Sequence, residues 1–373
     1  MNLEQLFCPN IDCPARGQVN QGNLSSHSQI EKRCLCTVCN KSFAITKGTL
    51  FYRLRTDPKV VMWVIVLLAY GCPTQAIVKA FGFDERTVKN WWQRAGRHCE
   101  EVHEHLIGQS QLDLQQVQAD EIKAKILGGS LWLAMAIMVS TRLWLGGVAS
   151  PQRDLELIQS LADRIRAMAL CRPLLLAVDG LPGYPKAFQR AFRSKVPRSG
   201  QKGRPQLYAW PDIAIVQVIK RRLPTGLEIE RRIVQGCPLL VKRLRQMTQN
   251  ESGVINTAYI ERLNATFRLR LSWLTRRTRT LAKQPETLTV GLFIVGCFYN
   301  LCDPHHSLRL RLSVGRFGHR WVKRTPAMAA ALTDHIWTAD ELLMYRVPTP
   351  RWSPPKQRGR RSKELLQLIE RWC

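Results

Sequence analysis

Leu174-Leu175-Leu176-Ala177-Val178-Asp179-Gly180 is the stretch whose reading decides the fold. Five consecutive apolar residues, closed by an acid and a glycine, read as a strand buried on both faces, as at the centre of a sheet. An acid at the end of such a strand is costly to desolvate unless something compensates it. Upstream, 117–127, 131–139 and 142–149 are β-rich runs. Their joins, Gly128-Gly129 and Ser140-Thr141, suit antiparallel hairpins. Residues 151–169 read as an amphipathic helix with Leu155, Ile158, Leu161, Ala162 and Ile165 on one side. Downstream come a helix over 184–193 and a buried strand over 213–219. A strand over 228–234 and a helix over 239–247 follow.

Three antiparallel strands, a helix, a strand, a helix and a strand is the order of the ribonuclease-H fold, so an α/β catalytic domain is expected over 115–306. In that order Asp120 lies on the first strand and Asp179 at the end of the fourth, and these strands are central neighbours. Glu261 sits in Tyr259-Ile260-Glu261-Arg262-Leu263-Asn264, on a helix whose apolar stripe is Ile260, Leu263, Phe267, Leu271 and Leu274. Glu261, Asn264 and Arg268 share the adjoining face. Taken singly, Asp179 reads as a turn residue and Glu261 as half of a surface ion pair. Together, three acids in a strongly basic chain point to phosphoryl chemistry. Two hard cations, Mg²⁺ or Mn²⁺, take oxygen ligands and act in pairs about 3.5–4 Å apart. Asp120 is expected to bridge both ions, Asp179 to hold one and Glu261 the other. Arg268 is expected to clamp a phosphate, which guanidinium matches in a bidentate way. Strand alternation turns Glu121 to the face opposite Asp120, so it is not counted as a ligand.

The chain before this domain reads as two small modules. Residues 1–50 are polar and without regular period, and five of the twelve cysteines fall in the first 39 positions. Cys8, Cys13, Cys36 and Cys39 form two thiol pairs with zinc-ribbon spacing, completing a tetrahedron around Zn²⁺. Cys34 is a fifth candidate, able to replace Cys36, and free thiols are the bland alternative. Residues 56–100 read as three helices, with Thr74 capping the second and Asp84 the third. The last two, joined at Gly82-Phe83, make a helix-turn-helix. Val88 and at least one of Trp91 and Trp92 face inward. Arg86, Thr87, Lys89, Asn90, Gln93 and Arg94 remain for DNA. An ordinary three-helix packing unit would look similar.

A formal charge of +28 over 373 residues makes a polyanion the expected partner. An acidic membrane surface is the rival. Spanning a membrane requires about 18 uninterrupted apolar residues, and 60–70 and 288–301 are shorter. With a polar, acidic start in place of a signal peptide, a soluble cytoplasmic protein is expected. The basic glycine loop 198–204 is expected to touch phosphate. Residues 307–373 read as a basic C-terminal extension whose Pro- and Arg-rich part, 348–363, is a flexible tail.

Val117-Gln118-Ala119-Asp120-Glu121, Val178-Asp179-Gly180 and the Glu261 block continuing to Arg268 resemble the Asp-Asp-Glu transposases of bacterial insertion sequences, and most closely the insertion-sequence-one group. The N-terminal segment ending in Cys36-x-x-Cys39 and Phe43-x-x-Thr46-Lys47-Gly48-Thr49, and the helix-turn-helix after it, are similar to that group as well. The likeness runs from about residue 7 to about 306. It implies a transposase that binds terminal inverted repeats, cuts there, and joins the freed 3′-hydroxyl to target DNA. It implies that Asp120, Asp179 and Glu261 are the catalytic metal ligands and that Arg268 is the basic residue further along the same helix. Two DNA ends imply at least a homodimer. The first cysteine pair is more widely spaced than in the group, and the segment between Asp179 and Glu261 is longer than in its shortest members.

Overall fold

Continuous apolar runs build the centre of the large sheet, and a few buried side chains fix how the helices meet it. The structure is a computed structural model that describes residues 3–198, 203–224, 226–248, 253–275, 281–314, 318–356 and 359–373. The centre of the basic loop 198–204 lies outside them. The chain divides into two compact units, Met1–Val61 with Leu343–Cys373, and Met62–Leu342.

In the first unit, β1 (Leu24–Ser28), β2 (Arg33–Cys36) and β3 (Ser42–Ala44) form an antiparallel sheet. Cys8, Cys13, Ala15 and Cys36 make a small core with Trp372. Trp372 closes a terminal helix, Lys363–Trp372, labelled α11 below, and its carbonyl accepts a hydrogen bond from Gln18 Nε2 at 2.8 Å. Part of the stretch read as a basic extension is thus a helix whose last turn packs on the cysteines.

The helices α1 (Pro58–Ala69), α2 (Thr74–Phe81) and α3 (Glu85–His103) follow. Thr74 is the first helical residue of α2, not its cap; Pro73 precedes it with no side-chain bond to the helix. Gly82 ends α2 at φ +70°, a left-handed conformation that suits glycine. Asp84 caps α3 by accepting from Arg86 N–H at 2.7 Å. Both Trp91 and Trp92 are buried. α3 runs three residues past the expected boundary at residue 100, because its later turns pack on an apolar helix, α8 (Pro285–Cys297). Gly96 allows that approach: a Cβ there would stand 2.2 Å from the Cβ of Val290.

The rest of the second unit is a mixed α/β layer structure. Its strands are β4 (Gln116–Ile126), β5 (Gly129–Met138), β6 (Trp144–Ser150), β7 (Leu174–Val178), β10 (Ile213–Leu223) and β11 (Gly226–Gln235), with a small hairpin β8 (Arg193–Val196) and β9 (Gln206–Ala209) beside them. The six-stranded sheet has the order β11-β10-β7-β4-β5-β6. β7 runs parallel to β4 and to β10; the other pairs are antiparallel. α4 (Leu155–Met168) connects β6 to β7, α5 (Gly183–Ala191) lies in the connection from β7 to β10, and α6 (Pro238–Met247) covers Leu175, Ala177, Ala214 and Val216. α7 (Ala258–Arg270) buries Ile260, Leu263 and Phe267. β12 (Leu310–Val314), β13 (Gly318–Val322), α9 (Pro326–Ala329) and α10 (Ala339–Met344) complete the chain before α11.

The apolar run read as too short for a membrane lies in a longer helical stretch, Pro285–Leu308, of 24 residues. It is long and apolar enough to cross a bilayer, but 72% of its apolar 18-residue window is buried inside the protein, as in a core helix. Asn300 is fixed within it: its amide donates to Trp144 O and accepts from Trp144 N–H, both at 2.9 Å.

Candidate metal and nucleic-acid sites

The acidic site forms where β7 stops. Ala119 on β4 pairs with Val178, the last residue of β7, so past that pair no strand covers the β7 side of β4. Asp120 and Asp179 therefore open into one cleft of about 470 Å³. Arg153, Lys220, Thr257 and Glu261 line the same cleft.

Each acid is held by identifiable donors. Asp179 Oδ1 accepts from Leu181 N–H at 2.9 Å, which is the turn role, while Oδ2 accepts from Arg153 Nη2 at 3.2 Å. Asp120 Oδ1 accepts from Glu121 N–H and Oδ2 from Asn264 Nδ2, both at 2.8 Å. Glu261 Oε1 accepts from Thr257 Oγ1 at 2.6 Å and pairs with Lys220 Nζ. Burial is the largest influence on Asp120 and pushes its carboxyl above the usual range, with the charges of Asp179 and Glu261 adding to it. The Glu121 N–H and the Arg268 guanidinium pull the other way. For Glu261, burial is outweighed by the Lys220 and Thr257 hydrogen bonds, and its carboxyl is held below the usual range.

Two expectations change here. Carboxylate oxygens of Asp120, Glu121 and Asp179 all lie within 4.8 Å of one another, so Glu121 is not turned away from the site. Past Ala119 the β7 side of β4 is open, and the longer Glu121 side chain reaches the end of β7 there. There Arg153 Nη2, 3.0 Å from Glu121 Oε2, ties it to Asp179. The Glu121 side chain is 1% exposed, and burial raises its pKa against the pull of Arg153. Glu261 lines the cleft without belonging to that close group, because Lys220 draws its carboxylate. The donor set of oxygens fits a hard cation such as Mg²⁺ or Mn²⁺.

Local sequence also hides the residue that places Glu261. Thr257 precedes α7 and makes no side-chain cap to it. Instead Gln118, buried on β4 two residues before Asp120, accepts from Tyr259 N–H and Ile260 N–H with Oε1, both at 3.0 Å. Its Nε2 donates to Asn256 O at 2.7 Å. One side chain therefore supplies partners that the first turn of a helix otherwise lacks. Nothing in the local pattern marks Gln118, Arg153 or Lys220, since each acts on a residue distant in sequence. Arg268 is half-buried on the same helix face as Asn264.

In the first unit the Sγ atoms of Cys8, Cys13, Cys36 and Cys39 lie within 4.8 Å of one another. The Cys8–Cys39 and Cys13–Cys36 separations are 3.7 and 3.8 Å. A tetrahedron with Zn–S arms of about 2.3 Å has edges of about 3.8 Å, so the four sulfurs fit that metal. Cys34 packs elsewhere, with Leu6 and Phe43, and is not part of this group. Asn23 Nδ2 donates to Cys36 Sγ at 3.4 Å, a contact suited to a thiolate ligand. Burial pushes the Cys8 thiol up to about 12, a cost that a central cation removes.

On α3, Arg86, Lys89 and Asn90 are exposed, while Thr87, Gln93 and Arg94 are half-buried. Val88, Trp91, Trp92 and Ala95 face inward. No protein-family model matches the chain, and no curated protein matches it.

Proposed function

We propose that the protein is an Asp-Asp-Glu DNA transposase of a bacterial insertion sequence, built on a ribonuclease-H-like domain behind a zinc ribbon and a helix-turn-helix. One observation carries the reading: Asp120 on β4, Asp179 just past the end of the adjacent parallel β7, and Glu261, on a helix pinned to β4 by Gln118, line one cleft. The +28 charge supports a polyanionic partner. The resemblance in the three acidic blocks supplies the family, and with it the terminal inverted repeats and target DNA as partners.

In this reading Asp120, Asp179 and Glu261 hold two Mg²⁺ or Mn²⁺ ions. Such ions activate a water or 3′-hydroxyl and stabilise the leaving oxygen of an in-line displacement. Asn264 and the Glu121 N–H keep Asp120 directed into the cleft. Arg153 keeps Asp179 in place, and Arg268 faces the approaching phosphate. Cys8, Cys13, Cys36 and Cys39 hold Zn²⁺, and the outer face of α3 meets the repeat. The active assembly is at least a dimer, working in the cytoplasm on the nucleoid.

Asp179→Asn tests the reading. DNA binding is expected to persist, while cutting and joining of a terminal-repeat duplex fall by at least about a thousandfold, the scale of losing an essential charge-stabilising group. Strand transfer that persists in Asp179→Asn would show the assignment to be wrong. Hydrolysis without joining in the wild type would point to a nuclease or resolvase instead.

A further inference from the structure

A second cationic element stands apart from the acidic cleft. Between Asp303 and Asp334 the sequence has no acidic residue, while Arg309, Arg311, Arg316, Arg320, Lys323 and Arg324 all fall there. At its centre is the two-stranded ribbon β12–β13, whose strands, among the described residues, pair with each other and with no other strand. The register sets Arg311 opposite Trp321 and Ser313 opposite His319, so these four side chains share a face. Arg309 joins them, with its guanidinium 4.0 Å from the Trp321 ring centroid. Arg311 Nη2 lies 3.4 Å from His319 Nδ1, and Lys323, two residues past Trp321, is exposed. Leu312 and Arg320 are cross-strand partners on the other face.

Among the described residues, neither face is covered. Leu310, Leu312 and Trp321 are 43%, 48% and 42% exposed, and Arg311, His319 and Arg320 are exposed as well. A two-stranded ribbon is marginally stable in water unless something packs on it. Cations stacked on an aromatic ring, with no carboxylate within the ribbon, repel one another until an anion meets them. A row of phosphates supplies that anion at regular spacing, and a two-stranded ribbon is narrow enough to lie against a duplex.

We infer that the Arg309–Arg311–Trp321–Lys323 face of this ribbon is a docking surface for the phosphodiester backbone of duplex DNA. It is separate from the outer face of α3, and it positions DNA without reading sequence. The inference rests on the proposed DNA-handling function and adds a contact which that reading did not contain.

The test is the salt dependence of binding by the full-length protein, measured by fluorescence anisotropy on a duplex of arbitrary sequence. Each lost phosphate contact lowers the slope of log K against log salt by about 0.9. Arg309→Gln/Arg311→Gln/Lys323→Gln is expected to lower it by about 2–3, and Arg320→Gln, on the other face, to leave it unchanged. Should the triple variant melt earlier than the wild type, Arg311→Gln/Lys323→Gln, which spares the stacked Arg309, is expected to lower it by about 1.8. Duplex binding by the wild type with no slope change in these variants overturns the inference while leaving the transposase reading intact. The inference is also overturned if Arg320→Gln costs as much as the triple variant, or if the variants lose only their binding to phosphatidylserine vesicles. A wild type that binds no duplex at all defeats both.

Discussion

Lys220 holds the carboxylate that a metal ion would need. Its ammonium pairs with Glu261 Oε1, which Thr257 also engages, so an incoming cation competes with a resident one. The pair is partly exposed, 34% on the lysine and 49% on the glutamate, so solvent screens it. Removing such a competitor is worth up to about 1 kcal/mol, or about fivefold in affinity. Lys220→Met is therefore expected to tighten Mn²⁺ binding by up to about fivefold in calorimetric titration without DNA. If Lys220 only props up the fold, its loss will lower the melting temperature and leave Mn²⁺ affinity where it was. At this scale the sequence made the acids legible, since an acid closing an apolar strand or flanking an apolar helix stripe is visible locally. The cations beside them were not, because Lys220 and Glu261 are 41 positions apart and Arg153 and Asp179 are 26 apart. Glu121 was misjudged because alternation assumes a strand flanked on both sides, and β7 ends two residues short of flanking Glu121.

Elements were easier to read than their junctions. All the strands expected in the large sheet appear within a few residues of their expected bounds, because residues that favour strands, at the sheet centre as continuous apolar runs, dominate them. The start of α7 was not legible. Its first-turn N–H groups are satisfied from β4 by Gln118, more than 140 positions upstream of Ile260. Gln118→Ala leaves the buried Ile260 N–H and the half-buried Tyr259 N–H without this partner and is expected to cost about 1–3 kcal/mol in urea unfolding. Because α7 carries Glu261 and Asn264, strand cutting should decline more than DNA affinity does. A variant that unfolds as the wild type does and cuts at full rate would show that the helix start is set elsewhere. The end of α3 was equally hidden, since packing of Gly96 against Val290 on α8, not capping chemistry, extends it.

At the scale of the whole molecule, the two compact units rest on different physics. The larger has a broad apolar core around its sheet, whereas the smaller has Cys8, Cys13, Ala15, Cys36 and Trp372 at its centre. So small a core needs a staple such as a structural metal. If Zn²⁺ is that staple, a strong chelator should release one equivalent and unfold the smaller unit, with Trp352 and Trp372 reporting the change by fluorescence. The transition of the larger unit should persist in calorimetry. A smaller unit that keeps its fold after complete metal removal would mean that packing alone suffices. The grouping of four of the cysteines was legible in the first 39 residues, but the helix that seals them was not, because nothing near Cys8 announces a contact with the far end of the chain.

That long-range closure affects how the protein is made. Gln18 and Trp372, joined by a hydrogen bond, are separated by 354 positions. A ribosome delivers roughly 5–20 residues per second, so the early cysteines spend many seconds without their hydrophobic lid. During that interval, competing thiols and stray metal ions have open access to the nascent centre.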